Sequence, residues 1–161
     1  MVPMGKTTFR NVITFRSDRF KDPDADLHSH KEQFGQESFG EDVARWLQDR
    51  LRSRNVQADG ITAEGTGWES YFTTAGTKHG VFFVRASNGP PDLWIAWVFQ
   101  HKRNLLSPLF GPVRSRPAGA LSIVFEIFDC AGEVNDVRWH YRRLFGREPS
   151  GNGPWAQTPF E

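Results

Sequence analysis

Three carboxylates and two imidazoles crowd into DPDADLHSH, residues 22 to 30: Asp22, Asp24 and Asp26 at alternate positions, then His28 and His30. Alternating acids open the calcium loop of an EF-hand, but that loop needs glycine at its sixth position and a bidentate Glu at its twelfth. Leu27 and Gln33 stand there instead. His28 and His30, with help from an acid, retain donors suited to a transition metal, so a small metal-dependent hydrolase or nuclease is the enzyme alternative. A solvated acidic loop accounts for the same residues, and neither a bound metal nor any other cofactor is expected.

Other combinations are weaker. Asp92, Gln100 and Lys102 echo the acid, Gln, Lys order of metal-dependent nucleases, yet one continuous strand would hold Asp92 and Gln100 roughly 26 Å apart. They cannot clasp one ion. Cys130 with His140 or His79 offers a thiol and a base, although a single cysteine at the end of an apolar helix is more often a small buried hydrophobe. There is no GxSxG, P-loop, HExxH or dinucleotide fingerprint. The sequence therefore predicts a protein that is not an enzyme.

Charge is placed unevenly. Residues 18 to 42 hold eight acids against Arg19, Lys21 and Lys31, so Asp22, Asp24 and Asp26 are candidate contacts for a basic protein. Lys102, Arg103, Arg114 and Arg116 bracket LLSPLFGPV, where Phe110, Arg114 and Arg116 are candidate contacts for an acidic one. The same apolar side chains could equally cover the sheet. Arg138, Arg142, Arg143 and Arg147 surround Trp139 and Tyr141, which could stack on a base. No RNA-binding motif accompanies them, and nucleic acid is not the expected partner.

The bulk numbers set the frame. A chain of 161 residues can bury one ordinary core, and its fourteen Phe and six Trp supply large rings for it. A net charge of +1 gives no overall field to draw in nucleic acid or an anionic membrane. One cysteine rules out an internal disulfide and favours a reducing compartment. No apolar run suits a signal peptide or a membrane span, so a cytoplasmic location with no membrane contact is predicted.

Patterning predicts the elements that would position these residues. NVITFR reads as a strand. In SFGEDVARWLQDRLRSRN, Val43, Trp46, Leu47 and Leu51 share a helical face, Ser38 with Glu41 would form a capping box, and the end is expected near Asn55. A short strand at Ile61 precedes a meander of about 68 to 74, 80 to 86 and 93 to 101. LWIAWVFQ is apolar on both faces, which predicts a central strand covered above and below. ALSIVFEIFDCAG is read as a helix from the spacing of Leu121, Val124, Phe125 and Phe128, with Gly132 ending it. DVRWHY alternates as a half-exposed strand near an edge.

The expected architecture is α+β, a mostly antiparallel sheet of a three-strand meander plus outer strands, with two helices packed on one face. One domain is assigned to 1–147 and an irregular tail to 148–161.

Taken in order, FRSDRF, FGEDVARWLQDRL, Gly67 with Trp68, and DVRWHY resemble a loose pattern in small bacterial proteins of immunity type, which neutralise a secreted toxin. That resemblance implies a protein partner, a secreted toxin domain, and supplies no catalytic residues. Together with the aromatic excess it predicts a non-enzymatic protein-binding module. A small-molecule or peptide sensor, with its pocket between the sheet and residues 103 to 117, is a further alternative.

Overall fold

The structure, a computed structural model, describes residues 9–20, 40–86, 90, 92–101, 118–141 and 155–160. In chain order the elements are β1 (Val12–Arg16), α1 (Glu41–Ser53), β2 (Gln57–Glu64), β3 (Gly67–Thr74), β4 (Thr77–Arg85), β5 (Leu93–Gln100), α2 (Ala118–Cys130), β6 (Asn135–His140) and β7 (Trp155–Ala156). The strands form one seven-stranded sheet in the order β2-β3-β4-β5-β1-β6-β7, and each neighbouring pair is antiparallel. This is an α+β fold.

β5 occupies the middle of that order, as its two-sided apolar pattern predicts. Its Trp94, Ala96 and Val98 join Ile13 and Phe15 of β1, Phe72 of β3 and Val81 and Phe83 of β4 in the core. Both helices cover this inner face. Val43, Trp46, Leu47 and Leu51 of α1 are buried, as are Leu121, Val124, Ile127 and Phe128 of α2. The Phe128 ring meets Trp46 at 5.4 Å and Phe15 at 5.0 Å, tying the two helices to β1. Removing each such large side chain from water contributes roughly 1.5–3 kcal/mol, which is why the alternating residues choose the inner face.

Several expectations are corrected. The residue at the start of α1 is Gly40, with φ 116° and no side-chain cap, and Ser38 lies outside the described residues. A Cβ on Gly40 would come within 3.3 Å of Trp94, so close packing on β5 favours glycine over a capping hydroxyl. The end of α1 is as expected: the helix stops at Ser53, near Asn55, and Asn55 takes the left-handed φ of 57°. The short strand at Ile61 is the eight-residue edge strand β2, in which Ala58, Ile61 and Ala63 are half-buried against the core and Gln57, Thr62 and Glu64 are exposed. The tail is not wholly irregular, because Trp155 and Ala156 pair with His140 and Trp139 and thereby extend the sheet beyond β6.

A buried polar network joins α1 to the meander. Gln48, 3% exposed, donates from Nε2 to Ser70 Oγ at 2.7 Å and to the Tyr71 carbonyl at 2.8 Å. Its Oε1 accepts the Gly60 N–H at 2.9 Å, where β2 carries a register irregularity between Ala58 and Gly60. Glu133, in the turn after α2, accepts from Arg19 at 2.8 Å and from Arg50 near the end of α1. Burial would raise the Glu133 carboxyl, but its own backbone N–H and the two guanidinium groups outweigh that and hold it below the usual range.

Candidate interaction face of the sheet

Strand alternation sends a second set of side chains to the face opposite the helices. On β5 these are Leu93, Ile95, Trp97 and Phe99, all half-buried. Their neighbours are Phe82 and Val84 of β4 and Tyr71 of β3, also half-buried. Phe82 packs on Trp97 at 4.5 Å and Tyr71 on Phe99 at 6.4 Å, giving an aromatic strip across three strands. The expectation was that β5 has cover above and below, and residues 103 to 117, which could supply the second cover, lie outside the described residues. Both described helices lie on the other side, so the outer rings keep part of their surface in water.

Glycine makes the strip possible. The Phe82 ring lies over Gly67, where a Cβ would come within 2.6 Å of it, and the Phe99 ring lies over Gly80. Neither outer ring could settle onto the sheet if those positions carried side chains. Lys78 lies 4.7 Å from the Tyr71 ring centroid and His101 packs on the same ring at 5.3 Å, so the strip has a polar end.

The other end of the face lies on β1 and β6. Arg16 grips Asp92 through two hydrogen bonds of 3.0 and 2.9 Å. Thr14 Oγ1 and His140 Nε2 are 2.8 Å apart. Arg138 hydrogen-bonds Asp136 at 2.9 Å and lies 4.6 Å from the Trp155 ring centroid. Arg10, 8% exposed, stacks at 4.3 Å over Tyr141. Burial, reinforced by the charges of Arg138 and Arg10, pushes the His140 imidazole down to about 4. It is neutral at physiological pH, and although the sequence pattern places it on the exposed side of its strand it is 6% exposed.

The residues singled out in the sequence divide sharply. Asp22, Asp24, Asp26, Phe110, Arg114 and Arg116 lie outside the described residues, as do His28, His30 and Lys102. Asp92 directly precedes β5 and Gln100 ends it, so the strand holds them apart, and Asp92 is bound to Arg16. Cys130 is exposed at the end of α2, contrary to the expectation of a buried thiol, because the apolar stripe of the helix runs through Val124, Ile127 and Phe128 and leaves position 130 outside it. His79 faces the core, stacked on Phe72 at 5.5 Å, and desolvation lowers its pKa. His140 belongs to the outer face, so the structure brings neither imidazole to the thiol as a working pair.

Among the described residues no group of three or more His, Cys, Asp or Glu is placed to hold a metal ion, and no helix is long and apolar enough to cross a membrane. The outer face offers partly hydrated aromatic and aliphatic surface between a lysine at one end and arginines at the other. Alternation along β5 already places Trp97 and Phe99 on the face opposite Trp94; the signal that sequence reasoning passed over is the pair of glycines, Gly67 and Gly80, set one strand away from Phe82 and Phe99. No family model, curated protein or solved structure matches the chain, so the reading of this face rests on its own geometry.

Proposed function

We propose that this chain is a non-enzymatic, cytoplasmic protein-binding module of immunity type, which docks a toxin-like protein domain on the outer face of its sheet. The observation that carries the reading is the half-exposed strip of Tyr71, Phe82, Trp97 and Phe99 on the side away from the described helices. Rigid aromatic side chains on a strand scaffold are the groups that most often anchor protein interfaces, since they bring much area at little entropic cost. The ends of the strip favour a partner with acids around an apolar patch. Arg16 and Arg138 already hold Asp92 and Asp136, whereas Lys78 and Arg10 have no carboxylate partner among the described residues. Asp22, Asp24, Asp26, Phe110, Arg114 and Arg116 are proposed as further contacts.

The test is co-purification from the native host followed by measured affinity of the purified pair. Trp97→Ala and Ile95→Lys should each weaken binding at least tenfold, the size of a central anchor lost from an interface. Glu126→Ala, on the exposed side of α2, should leave affinity unchanged, and circular dichroism should show all three variants folded. A partner whose affinity ignores both β5 substitutions, or a pure protein that turns over a substrate and has no specific partner, overturns the reading.

A further inference from the structure

We infer that the end of the sheet where β1 meets β6 carries a carboxylate-binding site centred on Arg10. This site deepens the docking proposal, in which Arg10 is one of the cations offered to a partner's acids, and its test needs no such partner. Arg10 is 8% exposed, and its Nε and Nη1 have no hydrogen-bond partner among the described residues. Buried guanidinium groups are otherwise satisfied by carboxylates, carbonyls or water, because an unpaired buried charge is strongly unfavourable. The Arg10 side chain places its Cζ 4.3 Å from the Tyr141 ring centroid. A cation–π contact of that kind uses none of the N–H donors, so the buried Nε and Nη1 are left for a ligand to satisfy.

Charge and shape select the ligand. Arg138 is bound to Asp136, so Arg10 supplies the local positive charge that lacks an acid among the described residues. His140, facing the same end of the sheet, is neutral at physiological pH and pairs with Thr14. Among the described residues one unmatched cation stands at this end of the sheet, which suits a monoanion, and the planar fork of a guanidinium matches the two oxygens of a carboxylate. A phosphate dianion would call for a second available cation. The carboxylate belongs either to a small organic acid or to an Asp or Glu side chain of a bound protein.

The experiment observes the Arg10 Nε–Hε resonance of the full chain by NMR at pH 7 during titration with sodium acetate, against sodium chloride at equal ionic strength. Acetate should give a saturable shift and chloride none. The two sources are separated by succinate, a free small acid, and by N-acetyl-glutamate N-methylamide, whose only carboxylate is a side chain; whichever saturates at the lower concentration names the source. Acetate should also raise the melting temperature of the parent protein above the chloride control, a response lost in Arg10→Met and cut at least tenfold in apparent affinity in Arg10→Lys. Identical responses to acetate and chloride, tighter binding of inorganic phosphate than of acetate, or an undiminished acetate response in Arg10→Met overturns the inference. If Arg10→Met fails to fold, the resonance of the parent protein still decides.

Discussion

Phe99 lies over Gly80, its register partner across the β4–β5 ladder, so closely that a Cβ at Gly80 would come within 2.3 Å of the ring. The outer aromatic strip depends on this contact. Gly80→Ala should swing the Phe99 ring away from the sheet and cost about 1–3 kcal/mol through overpacking. Urea denaturation gives the loss of stability, and the fluorescence of nearby Trp97 reports the rearrangement. An alanine variant as stable as the parent would show that the ring moves at no cost.

Gln48 satisfies Ser70, the Tyr71 carbonyl and the Gly60 N–H together. Gln48→Leu preserves approximate volume and leaves the buried Ser70 hydroxyl and two part-buried backbone groups without their partner, so a destabilisation of about 2–4 kcal/mol is expected. Amide hydrogen exchange should show the accompanying loss of protection at Gly60. Protection there identical to that of the parent would refute the role given to the network.

Acid should destabilise the fold before the carboxylates titrate. His140 is held at about 4 in the folded chain, below its ordinary value of 6.5, so the unfolded chain binds the extra proton first. The stability it contributes is complete above pH 6.5 and declines as pH falls toward 4, on the order of 2 kcal/mol across that window. The shift at His79, also downward, acts in the same direction. His140→Gln should flatten part of the slope in melting temperature between pH 6.5 and 4. A slope unchanged by that substitution would count against a buried neutral imidazole.

Residues from Trp155 onward should matter to the fold. The Phe160 ring meets Phe9 at 5.9 Å and Phe125 at 6.4 Å, and the Pro159 carbonyl accepts the Arg10 N–H at 3.1 Å. Deleting 155–161 removes these contacts and uncovers the β6 edge, an expected cost of about 2–4 kcal/mol. Thermal unfolding of the truncated chain measures it, and a melting temperature equal to that of the full chain would rule the packing unimportant.

By itself the sequence determined the elements that carry a strong period. Val43, Trp46, Leu47 and Leu51 marked α1, Leu121, Val124 and Phe128 marked α2, and the apolar run of β5 marked the centre of the sheet. Those patterns are local, because burial on one face dictates residue type every two or every three to four positions. Only the tertiary structure decided that the outer rings of β5 lie on the face away from the described helices, that Gly67 and Gly80 seat Phe82 and Phe99, and that Arg10 comes to rest on Tyr141. Each joins residues brought together by strand pairing, and 131 positions separate Arg10 from Tyr141 in the chain. Whether a ring is core or interface, and whether a guanidinium is solvated or buried without an acid, depends on which neighbour the fold supplies. No period within a single segment encodes that.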